Sequence, residues 1–204
     1  IYSCRMFKKY SNKKFIKSTD FGLYINNEKT QKSKGDFILG FTIRNWLNKE
    51  GQAYLEESYA RALHDLSRQL PIKIQPIVQV NVPAVEQHDD LKATKRVLEH
   101  LKKLKVKTEK EIIIGNLNSA IKTYGGLSLL LGMRMHSNII AATQGVPFVA
   151  VSYEHKTDGI ARDLGVEEYC VKVENANRDN LFALLMKAYK NRANLSKTIE
   201  GSLK

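Results

Sequence analysis

Two short apolar runs are each followed by side chains that can bind or protonate an anion. The runs cover residues 127–131, too few to cross a membrane, and 148–151, and both are typical of buried strands. Ligands of an open parallel sheet bind in the crevice outside the carboxyl ends of its strands. The side chains that follow the two runs, and that we predict to converge in this crevice, are Arg134, His136, Tyr153 and Lys156.

The chemistry of these four side chains favours a negatively charged ligand. Three of them carry or can gain positive charge. A helical pattern that begins at Arg134, with Ile139, Ile140 and Thr143 on one face and Gly145 at its end, starts at the predicted site. The N-terminus of a helix offers free N–H groups to an anion. We therefore expect a ligand that carries a phosphate or a carboxylate.

The rest of the chain supplies alternating elements that would position these residues. The predicted strands are 37–43, 72–80, 111–115, 127–131, 148–151 and 169–173; the predicted helices are 52–70, a segment after Asp90, 118–124, a segment from Arg134, 157–164 and 178–195. Alternation of this kind predicts right-handed βαβ units and an α/β fold with a Rossmann-like, doubly wound, mostly parallel sheet. Pro76 interrupts the second strand, which is expected to bend there or to pair along only one half.

Two further residues follow the first predicted strand. Arg44 stands at its carboxyl end and is expected either to face the crevice or to pair with a nearby acid at the surface. Trp46 is expected either to form a wall of the site or to pack in the core or at an interface. Spacing alone leaves both alternatives open for each residue.

Several motifs together resemble one family. G-M-R-M-H at 132–136, A-A-T-Q-G-V-P-F at 141–148 and S-Y-E-H-K at 152–156 resemble the C-terminal signature of the polysaccharide pyruvyl transferases, and G-F-T-I-R-N-W at 40–46 is similar to the segment that opens that family's C-terminal half. These enzymes transfer a group from phosphoenolpyruvate to a sugar hydroxyl and form a pyruvate ketal. The sequence departs from the family at Ser128, where an acidic residue is usual, and at Met135, where leucine is usual.

The resemblance implies a role for each candidate residue. Arg44, Arg134 and Lys156 would bind the phosphate and carboxylate of phosphoenolpyruvate, and Met135 and Tyr153 would form walls of the site. His136 would be the catalytic residue, either as the general acid that protonates the enol carbon or as a ligand that holds the phosphate; an unperturbed histidine titrates near 6.5, which suits an acid. No metal or other cofactor is expected.

The same resemblance implies a division of the chain and a set of partners. Residues 1–36 would be a basic segment left from the junction with an absent N-terminal half, and residues 37–204 the C-terminal Rossmann-like domain of a glycosyltransferase-B-type fold. Much of the acceptor pocket would belong to the absent half. The acceptor would be a saccharide of a surface or extracellular polysaccharide, which can be lipid-linked.

Composition adds a strong positive charge. The formal net charge is +12, and residues 1–35 alone hold nine Lys or Arg against two acidic residues. This basic arm could contact an anionic membrane, bind nucleic acid or be a solvated surface; the absence of a recognition motif disfavours nucleic acid. Two cysteines, no apolar leader and no run of about 18 apolar residues lead us to expect a cytoplasmic protein, associated at most with the inner face of a membrane.

Two further motifs could indicate other chemistry. His88-Asp89-Asp90 is rejected as a metal cluster because no further ligand follows at a suitable spacing and because either aspartate can cap a helix. Gly125-Gly126 has neither the G-x-G-x-x-G spacing nor the P-loop spacing of a phosphate-binding loop, and it is expected to end a helix. Two alternative functions remain: a sugar-nucleotide-dependent glycosyltransferase or epimerase, and a non-catalytic basic module that binds nucleic acid.

Overall fold

The chain forms one parallel sheet covered by helices. A computed structural model describes Thr30, residues 35–84 and residues 89–203. The strands are β1 (Phe37–Thr42), β2 (Ile72–Val78), β3 (Ile112–Ile113), β4 (Leu129–Gly132), β5 (Phe148–Ser152) and β6 (Cys170–Lys172). All pairings between them are parallel, and the strand order is β3-β2-β1-β4-β5-β6. The predicted doubly wound, Rossmann-like α/β fold is confirmed.

Six α-helices connect or follow these strands. They are α1 (Lys49–Gln69), α2 (Asp90–Lys103), α3 (Leu117–Gly125), α4 (Met135–Thr143), α5 (His155–Asp163) and α6 (Arg178–Ser202), and two short 3₁₀ turns, Glu167–Tyr169 and Val173–Asn175, flank β6. α1 packs against α2 and α6, while α4 packs against α3 and α5. The strand order runs in one direction from β1 to β3 and in the other direction from β4 to β6. Right-handed connections therefore place α1 and α2 on one face of the sheet and α4 and α5 on the opposite face.

The central strands are mostly apolar because both of their faces are covered, and polar residues occur only at their carboxyl ends, as at Thr42 and Ser152. Every residue of β4 and of β5 is buried. The core also contains two large aromatic side chains, those of Phe41 and Tyr59, whose rings meet edge to face with centroids 6.4 Å apart. None of the helices in the described ranges is long and apolar enough to cross a membrane.

Pro76 does not interrupt β2, contrary to the expectation from sequence. The N–H of Glu109 donates to the carbonyl of Ile74, and the N–H of Ile114 donates to the carbonyl of Val78. The backbone N–H and C=O groups of the even-numbered residues of β2 therefore point toward β3. Pro76 has the same orientation, and its missing N–H therefore removes no bond to β1. The strand stays continuous because β3 is short and demands few bonds along that edge.

Boundaries differ from prediction by a few residues at several elements. β3 has two residues instead of five, since only Ile112 and Ile113 are in strand register with β2. α5 starts at His155 rather than at Thr157, and α6 extends seven residues past Leu195. Gly145 ends α4 as predicted, with a φ of 67° that glycine adopts without strain.

Candidate functional site

A cleft of about 270 Å³ lies at the carboxyl ends of β2, β4 and β5. It is lined by Gln79, Val80, Arg134, Met135, His136, Tyr153, Glu154, Lys156 and Thr157. Five of the six residues proposed from sequence are thus brought together. The cleft adjoins the boundary between β1 and β4, where the strand order reverses, and this is the position at which doubly wound sheets bind their ligands.

Two helices begin at this cleft. Arg134 is the N-cap of α4, and His136 lies in its first turn as an exposed side chain. Lys156, also exposed, lies in the first turn of α5. The first N–H groups of a helix have no partner within it and carry partial positive charge. Two such ends beside a lysine and an arginine make the cleft suited to an anion.

Two hydroxyl groups, those of Ser137 and Thr42, hold the start of α4 in place. The Ser137 hydroxyl donates to the Arg134 carbonyl over 2.5 Å and lies 3.1 Å from the hydroxyl of Thr42 at the end of β1. The N–H of Met133 in turn donates to the Thr42 hydroxyl over 3.1 Å. The loop that carries Arg134 and His136 is therefore tied to β1 as well as to β4.

Arg134 is already engaged by a carboxylate. Its Nε lies 3.0 and 3.2 Å from the two carboxylate oxygens of Asp90, and its Nη2 lies 2.6 Å from one of them. Asp90 is fully buried, and the same carboxylate accepts the N–H of Val80 over 3.1 Å. Sequence analysis predicted Arg134 as a donor-binding residue and did not predict that Asp90 holds one edge of its guanidinium. Arg134 also lines the cleft, and its remaining N–H donors, on Nη1 and Nη2, are not used by Asp90.

Burial dominates the chemistry of Asp90. Removal from water raises the pKa of the Asp90 carboxyl above its usual range, although hydrogen bonds and charge from Arg134 act in the opposite direction. Sequence reasoning assigned the two aspartates to capping only, and Asp89 is indeed the N-cap of α2 through a 3.0 Å bond from Leu91 N–H. His88 lies outside the described residues. Across the described ranges, no three His, Cys, Asp or Glu side chains are grouped to hold a metal.

Arg44 lies behind the cleft and does not line it. The side chain is buried, with 6% of its surface exposed, and its Nε has no hydrogen-bond partner among the described residues. The guanidinium carbon is 4.7 Å from the ring centroids of both Trp46 and Tyr153. A cation over two aromatic rings is attracted to their faces. Tyr153 therefore lies between Arg44 and the cleft. Trp46 packs beside Tyr153 and is 43% exposed.

A buried amide fixes the loop that carries Arg44. The Gln52 side chain accepts the N–H groups of Trp46 and Leu47 over 3.0 and 3.3 Å and donates to the Arg44 carbonyl over 3.2 Å. It also donates to Glu56 over 2.7 Å. Sequence analysis predicted a helix over residues 52–70 but no role for Gln52, so its positioning role was missed.

Glu56 is held by an arginine from the neighbouring helix. Arg96 of α2 donates from Nε and Nη2 to the two oxygens of the buried Glu56 carboxylate, each over 2.8 Å. This planar pairing is the strongest geometry available to a carboxylate and an arginine. It connects α1, α2 and the loop after β1 into one rigid support for Arg44 and Trp46.

Solved structures of similar shape define the class of fold. The chain superimposes on trehalose 6-phosphate synthase from Burkholderia multivorans (TM-score 0.56, 11% identity), on an E. coli trehalose-6-phosphate protein bound to UDP-2-fluoro glucose (0.54, 16%) and on a candidate UDP-N-acetylglucosamine 2-epimerase from Listeria monocytogenes (0.53, 14%). Each match covers 83% of this chain but only 39%, 40% and 43% of the other. At such identities the likeness shows the fold: one Rossmann-like half of a glycosyltransferase-B-type architecture.

Sequence comparison then identifies the family. The profile of the polysaccharide pyruvyl transferases matches residues 1–155, and the chain belongs to this family. Arg44, Arg134, His136 and Tyr153 lie inside the match, and Lys156 follows it by one residue. The amylovoran biosynthesis protein AmsJ of Erwinia amylovora is 38% identical over 58 residues, which are 28% of this chain and 14% of AmsJ. The chain thus matches only a small part of this relative's length.

Proposed function

We propose that this chain carries the donor site of a polysaccharide pyruvyl transferase that uses phosphoenolpyruvate. The observation that supports the proposal is the grouping of Arg134, His136 and Lys156 at the first turns of two helices, in one cleft at the point where the strand order reverses. Phosphoenolpyruvate carries a phosphate ester and a carboxylate on the same enol carbon. A site for it needs fixed positive groups and one proton donor, and the cleft offers both.

The two anionic groups of the donor have separate partners in this proposal. Lys156 and the N–H groups at the start of α5 hold one of them, and the free edge of Arg134 with the start of α4 holds the other. Asp90 keeps the guanidinium of Arg134 in one orientation, so little side-chain freedom is lost on binding. Arg44 contributes its charge from behind Tyr153.

His136 supplies the proton. Its imidazolium gives a proton to the methylene carbon of the enol, and the adjacent carbon becomes an oxocarbenium-like centre. One sugar hydroxyl attacks this carbon and loses its proton. The carbon–oxygen bond to phosphate then breaks, a second hydroxyl of the same sugar attacks and loses its proton, and the products are a pyruvate ketal and inorganic phosphate.

The acceptor is a saccharide of a polysaccharide under construction, and Trp46 is its contact on this chain. The ring of Trp46 is 43% exposed beside the donor cleft, while Arg44 and Tyr153 support it. A pyranose can stack its apolar C–H face on such a ring. Because the chain spans only about two-fifths of the proteins it superimposes on, further acceptor contacts are proposed to come from an N-terminal half.

Titration calorimetry tests the donor. Phosphoenolpyruvate should bind the chain, and Lys156→Gln should weaken the binding about tenfold or more because a charge-assisted contact is lost. Lys190→Gln is the matched control, since Lys190 is an exposed lysine on α6 that does not line the cleft. UDP-glucose provides the comparison with the glycosyltransferase alternative. Binding of UDP-glucose without binding of phosphoenolpyruvate would refute the proposed donor.

A further inference from the structure

A row of lysines covers the outer side of α2 and the segment that follows it. This lysine surface is defined by the exposed side chains Lys92, Lys95, Lys102, Lys103, Lys105 and Lys107. Glu99 is the one exposed acidic side chain between residues 91 and 107. The buried side of α2 is formed by Ala93, Thr94, Val97 and Leu101, so the helix is divided between a core face and a cationic face.

The charges of the lysine surface are not neutralised locally. Within the described part of the chain none of its six lysines forms an ion pair. Elsewhere on the surface, lysines do find acids: Lys73 pairs with Asp36, Lys172 with Asp158 and Lys187 with Glu168. Glu99 lies within four residues of Lys95, Lys102 and Lys103 on the helix, but its single negative charge offsets only part of the positive charge of the six lysines. The lysine surface therefore stays cationic and favours an anionic partner.

Exposed aliphatic side chains follow the lysines along the chain. The segment after Lys107 leads into β3, which is the edge strand of the sheet. Ile113 in β3 is 45% exposed and Leu117 at the start of α3 is 50% exposed. Cationic side chains combined with exposed aliphatic ones suit a lipid surface, where the charges meet headgroups and the aliphatic groups enter the acyl boundary. Single-stranded nucleic acid is commonly held by aromatic rings that stack on its bases, and residues 90–107 contain no Phe, Tyr or Trp.

We propose that the lysine surface, with Ile113 and Leu117, docks this protein on an anionic lipid membrane. Lys92 belongs to the first turn of α2, as does Asp90, which holds Arg134 in the candidate site. Docking through α2 therefore brings the mouth of the cleft close to the bilayer. The proposal rests on charge and exposure alone and does not depend on the identity of the donor.

Co-sedimentation with vesicles provides the test. The chain is mixed with phosphatidylcholine vesicles that contain either roughly 30 mol% phosphatidylglycerol, to imitate an anionic leaflet, or none. Each mixture is measured at low and at physiological salt. The test variant is Lys92→Gln/Lys95→Gln/Lys102→Gln/Lys103→Gln. The control variant, Lys49→Gln/Lys172→Gln/Lys190→Gln/Lys197→Gln, removes the same charge from exposed lysines outside α2, β3 and α3. Glutamine and lysine have similar helix propensities, so circular dichroism should show both variants folded.

The expected result is binding that requires the anionic lipid and weakens with salt. Each lysine near an anionic surface strengthens binding by roughly fivefold, equivalent to about 1 kcal/mol. The test variant should therefore lose roughly 10²- to 10³-fold in affinity and the control variant less than about tenfold. Equal loss in both variants would show that net charge, and not this surface, is responsible. No binding by the parent chain, or binding to duplex DNA without binding to the vesicles, would also overturn the proposal.

Discussion

Substitution of Gly132 by alanine should destabilise the protein through a single contact. Gly132 ends β4, three residues before α4 begins, and a Cβ there would lie 1.8 Å from Oδ1 and 2.8 Å from Cγ of Asn138. Asn138 is buried and donates from Nδ2 to the Gly132 carbonyl over 3.2 Å. The φ of Gly132 is not in the left-handed region, so the steric clash alone decides the outcome.

The magnitude follows from the groups that must move. Overpacking in a dense core costs about 1–3 kcal/mol, and loss of the Asn138 hydrogen bond costs about 0.5–1.5 kcal/mol more. Alanine also restricts the unfolded chain, which returns about 0.4–1 kcal/mol. The free energy of unfolding of Gly132→Ala should therefore fall by about 1–4 kcal/mol, as measured by urea denaturation monitored by circular dichroism.

Two further variants identify the cause. Gly159→Ala is the matched control, because a Cβ at this position in α5 meets nothing within 4 Å and should stabilise the helix by about 0.5–1 kcal/mol. Gly132→Ala combined with Asn138→Ala should be more stable than the sum of the two single effects by about 1–3 kcal/mol, because the clash is gone. A Gly132→Ala protein within about 0.5 kcal/mol of the parent, or additive effects in the double variant, would refute the reasoning.

Three other predictions concern individual side chains. Arg44→Lys should weaken phosphoenolpyruvate binding and shift the emission of Trp46, the sole tryptophan, because lysine lacks the planar face that lies against the ring; unchanged emission and affinity would remove Arg44 from the site. His136→Gln should lower the saturated rate by about 10²- to 10⁴-fold if His136 is the acid, whereas a histidine that only holds phosphate would mainly raise the donor dissociation constant. Burial raises the pKa of the Cys170 thiol to about 12, so the thiol stays protonated at pH 8. In a Cys4→Ser background, iodoacetamide should therefore react with Cys170 at least about 10²-fold more slowly than with a free cysteine. Labelling at the free-cysteine rate would contradict the burial of Cys170.

The order and type of the elements could be predicted from sequence because they depend on local patterns. The apolar runs became β4 and β5 since strands buried on both faces need no polar alternation. Gly145 and the helix pattern from Arg134 were sufficient to locate α4. Strand ends were less predictable: β3 is short because pairing with β2, and not its own apolar residues, limits it.

The candidate site was only partly predictable, for a physical reason. Sequence position relative to strand ends placed Arg134, His136 and Lys156 in one crevice. It could not reveal that Asp90, 44 residues before Arg134, holds the guanidinium. Pairings of this kind depend on which strands become neighbours and how helices are set against them. The same applies to Gln52, whose spacing on α1 gives no sign that it supports the loop after β1.

Asp90 couples the two arginines of the site. Its carboxyl has a pKa raised by burial and lowered by Arg134 and, more weakly, by Arg44. Removal of either positive charge therefore favours the protonated carboxyl, which can no longer accept from all its present donors. Arg134→Gln thus alters the ionisation of Asp90 and the N–H contact of Val80 together with any donor contact. A weaker donor affinity in that variant reflects the orientation of the whole β2–α4 junction, whereas Lys156, which has no described link to Asp90, isolates the charge of the cleft itself.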